Sequence, residues 1–161
     1  NKTGFLSLIK EAPITQPIIV CGGVCACIYE ARNSTDDLDC ECAAEDVEPL
    51  ADYFDKRGVI ADLSENISGW GMIALPPRYR EDSPYLQGFD NVRYLSFYVF
   101  IVSKLRRGLD RDMADIEPFR GKAPNLDVYV KEAIDASPVS TERFRFLDRV
   151  KRWQRPVVEN S

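Results

Sequence analysis

The 161-residue chain contains no histidine, so it lacks the usual general base, the usual proton shuttle and the commonest metal ligand. Ser-His-Asp and Cys-His hydrolases, His-containing zinc proteases and Cys/His zinc fingers are excluded. Any chemistry rests on carboxylates, Lys and Arg, hydroxyls, thiols, backbone amides or a bound ion. Long apolar runs are also missing. None approaches the roughly 18–20 residues of a membrane helix, and Asn1 to Ile9 lacks a charged region followed by a long apolar stretch. A cytoplasmic protein with no membrane contact is expected. The five cysteines, Cys21, Cys25, Cys27, Cys40 and Cys42, lie in one short stretch. Their odd number and the absence of an export signal argue against disulfides. The two C-x-C pairs miss the usual structural-zinc spacing of C-x₂₋₄-C, which favours reading them as small buried hydrophobes over a zinc site.

What is present is ordinary in amount and uneven in distribution. With 45% apolar and 29% charged residues, the composition is that of one soluble globular domain. The net charge of -5 and a sequence pI of about 4.9 argue against broad, sequence-independent nucleic-acid binding. Seven acids and no base lie between Asp36 and Glu48, whereas Glu142 to Arg155 holds six bases and two acids. The later stretch has two readings: a solvated helix face, or cations Arg143, Arg145, Arg149, Lys151 and Arg152 with Trp153 for stacking on RNA.

The apolar pattern predicts a short helix over Phe5 to Lys10 and a buried strand from Pro17 to Cys21. Gly22-Gly23 breaks the run, and Val24 to Tyr29 suits a helix packed closely on a sheet. From Asp36 to Cys42 the residues alternate, with Leu38, Cys40 and Cys42 on one face and Asp37, Asp39 and Glu41 on the other, which predicts a half-buried strand. Val47, Leu50, Ala51 and Phe54 form a helical stripe within Ala44 to Lys56, with Pro49 tolerated in a first turn. Further short strands are predicted at Val59 to Ala61, Trp70 to Leu75 and Val92 to Leu95, with a loop from Pro76 to Pro84. Helices are predicted over Phe97 to Arg107, Asp110 to Phe119, Leu126 to Ala136 and Thr141 to Trp153. In the last, Phe144, Leu147, Val150 and Trp153 fall in line. Strands come early and helices late, which favours an α+β fold.

One constellation carries chemistry. Gly22-Gly23 is followed after thirteen residues by Asp37-Leu38-Asp39. Carboxylates two apart on a strand share a face, roughly 6.5–7 Å apart at Cα, near enough to share a divalent ion. Mg²⁺ prefers oxygen ligands and is commonly completed by substrate phosphate. A diglycine at a strand-to-helix junction lets backbone amides approach that phosphate. Taken singly, the diglycine reads as a turn and the Asp pair as a solvated face.

Together the segments Cys21-Gly-Gly-Val-Cys-Ala and Ala31-Arg-Asn-Ser-Thr-Asp-Asp-Leu-Asp-Cys resemble the Gly-Gly … Arg-x-Ser-Thr-x-Asp-hydrophobic-Asp signature of the nucleotidyltransferase superfamily. The nearest likeness is to its minimal bacterial branch, the AbiEii-type abortive-infection toxins and related nucleotidyltransferase-like proteins. Ser103-Lys-Leu-Arg-Arg and Arg111-Asp-Met-Ala-Asp-Ile resemble that branch's second block. The likeness spans about Phe5 to Phe119.

The resemblance implies a small mixed sheet flanked by helices over 1–107, with a helical extension over 108–161 packed on it, all within a single domain. It implies transfer of a nucleoside monophosphate from an NTP, with Mg²⁺ as cofactor, to an RNA such as tRNA or to a protein acceptor. A toxin with a cognate antitoxin is the setting it suggests. Carried over residue by residue, Asp37 and Asp39 would be catalytic metal ligands and Lys104 catalytic. Gly22, Gly23, Arg32, Thr35 and Asp112 would contact nucleotide. Lys104 has a second reading as a salt-bridged lysine closing an apolar helix, and Asp112 with Asp115 has one as an ion-pair network. The pattern departs at the third carboxylate, for which Asp62, Glu65 and Asp90 are candidates. The alternative is therefore a catalytically degenerate nucleotide-binding or protein-interaction module on the same fold.

Overall fold

A computed structural model describes residues 2–138 and 141–156. Its helices are α1 Lys2–Ile9, α2 Gly22–Ile28, α3 Val47–Asp55, α4 Tyr79–Asp82, α5 Phe97–Arg107, α6 Asp110–Ile116, α7 Leu126–Asp135 and α8 Glu142–Gln154. Its strands are β1 Ile18–Cys21, β2 Asp37–Glu41, β3 Ile60–Ser64 and β4 Val92–Tyr94. All four strands precede α5 to α8 and form one mixed sheet, in keeping with the expected α+β fold. The chain divides into two compact units: residues up to Trp70 with Arg78–Ser96, and Gly71–Pro77 with the described residues from Phe97 onward.

In the first unit the sheet order is β3-β2-β1-β4. β1 runs antiparallel to β2, whereas β1 with β4 and β2 with β3 are parallel. The alternation along β2 sorts its two faces. Leu38 and Cys40 join Ile18, Val20 and Val92 in a core with Phe5, Leu6 and Ile9 of α1, Val24 of α2, and Leu50 and Phe54 of α3. Pro49 occupies the first turn of α3, where its missing N–H costs no helical bond. Asp37, Asp39 and Glu41 project from the opposite face.

The second unit is helical, with α5 packed with α6, α7 and α8. Val99 to Val102 of α5 are all buried, as an all-round apolar stretch requires. Among the described residues no helix is long and apolar enough to cross a membrane.

Three local expectations need correction. Trp70 to Leu75 is not a strand: a 3₁₀ turn ends at Trp70, and side chains hold the following backbone. Arg106 Nη1 donates to Ile73 O at 2.9 Å and Ser137 Oγ accepts from Ala74 N at 2.8 Å. The loop from Pro76 to Pro84 contains the one-turn helix α4. On α8, Phe146 rather than Phe144 lies inward with Val150 and Trp153, leaving Phe144 79% exposed and Leu147 43% exposed.

Candidate active site

The site grows from one strand-turn-helix junction. β1 passes directly into α2 at Gly22, whose φ is +58°. That left-handed conformation costs an L-residue roughly 1–2 kcal/mol. A side chain there is also sterically impossible without movement, because a Cβ would overlap Asp39 Oδ2. A Cβ on Gly23 would overlap Thr35 Oγ1 and lie 2.8 Å from Arg32 Nη1. The two glycines therefore form a bare backbone surface, one touched by Asp39 and the other by Thr35 and Arg32.

The returning chain makes these contacts possible. α2 closes with Glu30 at φ +64°, Glu30 N–H donating to Cys27 O at 3.0 Å and Ala31 N–H to Ala26 O at 2.9 Å. This is the hydrogen-bond pattern of a Schellman turn. The chain then doubles back past Arg32 and Thr35 into β2. Thr35 is buried, and its hydroxyl donates to Asp37 Oδ1 at 3.3 Å.

Sheet register completes the group. Cys21 pairs with Asp39 across β1 and β2, and Asp39 pairs with Asp62 across β2 and β3. Paired residues share a face, so Asp62 joins Asp37 and Asp39, and one carboxylate oxygen from each lies within 4.8 Å of the others. Oxygens on a single octahedral Mg²⁺ stand about 3.0 Å apart when adjacent and about 4.2 Å when opposite, from Mg–O distances of ~2.1 Å. Bringing three negative charges this close costs on the order of 1 kcal/mol or more per pair, which a divalent cation relieves. Charge, donor type and spacing all fit a hard cation.

Asp62 is the residue that local pattern leaves undecided among Asp62, Glu65 and Asp90. Glu65 follows β3 on an exposed turn, and its carbonyl accepts from Arg80 at 3.3 Å. Asp90 precedes β4, at the sheet edge away from β3. The signal available in the sequence was the short strand at Val59 to Ala61; its register against β2 was the missing fact.

The other acids nearby are structural. Glu41, expected on the open face with the two aspartates, is on that face but buried. Its carboxylate accepts from Ile67 N at 3.1 Å, from Arg80 Nε and Nη2 at 2.7 and 3.0 Å, and from the Tyr79 hydroxyl. Burial and then the bond to Glu41 push the Tyr79 phenol well above its ordinary pKa. Asp46 is buried and accepts from Thr15 N at 2.9 Å and Oγ1 at 3.0 Å. All five cysteines are free and buried. Burial raises the Cys40 thiol well above its usual value, and burial followed by Asp46 and Glu41 raises Cys42 to about 11. Both stay protonated at neutral pH and serve as packing.

Gly22, Gly23, Arg32, Thr35, Asp37 and Asp39 are thus brought together in the first unit. Lys104 and Asp112 lie in the second. Lys104 Nζ sits 2.9 Å from Asp115 Oδ2 and 3.6 Å from Asp112 Oδ1, with all three side chains buried. Asp112 also accepts from Arg107 Nε and Nη2, both at 2.7 Å, and from Leu109 N at 3.1 Å. Burial alone would raise the Asp112 pKa. The Arg107 bonds and charge, then Lys104 and the Leu109 amide, outweigh it and hold the carboxyl below its ordinary value.

A family model described as nucleotidyltransferase of unknown function (DUF6036) matches residues 4–154. No curated protein and no solved structure matches the chain.

Proposed function

Because the chain belongs to the family of nucleotidyltransferases of unknown function (DUF6036), we propose that it transfers a nucleoside monophosphate from an NTP to a hydroxyl or phosphate acceptor on RNA or protein. The observation that carries this reading is the convergence of Asp37, Asp39 and Asp62 beside a diglycine that leaves room for no side chain. Asp37, Asp39 and Asp62 would hold Mg²⁺, which when bound supplies charge stabilisation to the attacking and leaving oxygens.

The chain's own groups do the remainder. The backbone amides of Gly22 and Gly23 receive the triphosphate, at a turn where the missing Cβ atoms let Asp39, Thr35 and Arg32 close in beside it. Arg32 beside Gly23 offsets phosphate charge, and Thr35 orients the Asp37 carboxylate. Asp62, the most exposed of the three acids, accepts the proton of an acceptor hydroxyl as its oxygen bonds to the α-phosphorus and pyrophosphate leaves. No histidine base is needed.

Lys104 and Asp112 remain in the reading as charges that the second unit buries despite the desolvation cost. Lys104→Arg preserves the charge and separates the two roles: lost transfer with unchanged thermal stability assigns Lys104 to the reaction, and unchanged transfer assigns it to folding. A toxin partnered by an antitoxin is the finer reading, supported by the resemblance to AbiEii-type proteins.

The test is incubation with α-labelled NTPs, Mg²⁺ and total RNA or cell lysate. The expected result is a labelled acceptor that disappears with Asp39→Asn and with Asp62→Asn. Absence of transfer from every NTP, or transfer that survives Asp39→Asn, overturns the reading.

A further inference from the structure

The two edges of the sheet are finished differently. At the β4 edge, Tyr85 bridges Arg93 in antiparallel sense, with Leu86 N–H donating to Val92 O at 2.8 Å and Tyr94 N–H to Pro84 O at 3.0 Å. That edge is covered. At the opposite edge, no strand or bridge among the described residues pairs with the outer side of β3. An edge strand presents alternate N–H and C=O groups outward, and proteins usually blunt such edges with proline, lysine or a covering segment. Ile60–Ser64 contains neither proline nor lysine, its one charged residue, Asp62, lies on the face away from α3, and Ile60 is 66% exposed.

An open groove of about 1220 Å³ runs beside this edge, lined by Ile60 and Ala61 and by α3. α3 turns Leu50 and Phe54 into the core, which places Glu48, Asp52 and Asp55 on its outer face at helical spacing. Glu45 extends the acidic wall. Among the described residues, the cation paired to that wall is Lys56, 2.9 Å from Asp52, with both side chains mostly exposed. Such a surface pair is worth little and exchanges easily.

We propose that the outer edge of β3 takes up an extended, lysine- or arginine-rich segment of a partner protein as an additional strand. Main-chain hydrogen bonds to β3 provide attachment, and alternate side chains of the guest provide selection. Guest residues two apart share a face, so a basic residue at every second position directs its cations to the acids of α3. A second copy of this chain is the disfavoured guest, because pairing two β3 edges brings one acidic wall against another. The proposal stands independently of the transfer reaction: Ala61 and Asp62 alternate on β3, and Asp62 belongs to the opposite face of the sheet.

The test titrates the ¹⁵N-labelled full chain with a ten-residue alternating Lys-Val peptide. The control is the same peptide N-methylated at every residue, which keeps the charge and removes the main-chain donors. The expected result is slowed amide exchange within 60–64, shifts along α3, and binding at least about tenfold weaker for the methylated peptide. The exposed double variant Glu48→Lys/Asp52→Lys is expected to weaken the unmethylated peptide by a similar factor. Equal binding of the two peptides, perturbations centred elsewhere, or no binding at millimolar peptide overturns the proposal. So does sedimentation showing that the free chain pairs with itself through a contact removed by Ile60→Lys.

Discussion

Asp62 and Gly22 are the residues at which the account is most exposed to experiment. Asp62→Asn keeps size and shape but removes one of three converging charges. Label transfer is expected to fall by at least the ~10²-fold that loss of a single charge-stabilising group costs in other active sites, with little change in melting temperature. Gly22→Ala acts differently: its φ of +58° and the adjacent Asp39 carboxylate mean that a methyl group both strains the backbone and displaces Asp39, one of the proposed Mg²⁺ ligands. A loss of roughly 1–2 kcal/mol in stability, together with weakened Mg²⁺ binding by calorimetry, is the expected pair of readouts. Asp37 and Asp39 were legible in the sequence because two residues on one strand share a face by local geometry alone. Asp62 became assignable only through its pairing with Asp39, a register that no local spacing encodes. Glu41 lies on the face its alternation predicts, but its burial was not legible for the same reason: the residues that bury it, Ile67, Tyr79 and Arg80, lie about 26 to 39 positions away.

Among the elements, α5 and α6 are joined by the buried charges of Lys104, Asp112 and Asp115. Lys104→Met leaves two buried carboxylates without their shared cation, and denaturant unfolding is expected to show a loss of roughly 3–5 kcal/mol. The depressed Asp112 pKa sets a sign for acid behaviour. Its stabilising contribution is complete above the ordinary carboxylate pKa of about 3.9 and is lost as pH falls through the lower folded value. The stability gap between the native chain and Asp112→Asn is therefore expected to stay level from about pH 7 to 5 and to shrink below about pH 4, as read from urea midpoints. Elements with a clear local pattern, alternating in β2 and apolar all round in α5, followed from sequence closely. The apolar run after Trp70 did not, since its backbone is satisfied by Arg106 and Ser137 rather than by a neighbouring strand. α8 shows the same limit: Phe144 and Phe146 are both aromatic, and only packing decides which turns inward.

Considered as a whole, the chain separates charge between its units. Residues up to Trp70 with Arg78–Ser96 hold 16 acids and 8 bases, whereas the remainder holds 10 acids and 13 bases. The unit that carries the diglycine repels a free polyphosphate, so NTP affinity is expected to depend on a divalent cation beyond ordinary ionic screening. Calorimetry with a nonhydrolysable NTP in Mg²⁺ against EDTA at equal ionic strength reads that dependence. Composition made the acidity legible and the missing histidine pointed to carboxylate chemistry, but the depth of the groove beside β3 and the covered edge at β4 arise only once strands are ordered. The most direct measurement of the central claim uses Mn²⁺ with a nonhydrolysable NTP and follows paramagnetic broadening of backbone amides. Broadening strongest at residues 22–23, 35–39 and 62, and abolished by Asp39→Asn, is the predicted result. Broadening centred on the exposed acids of α3, or spread evenly over the acidic surface, contradicts it.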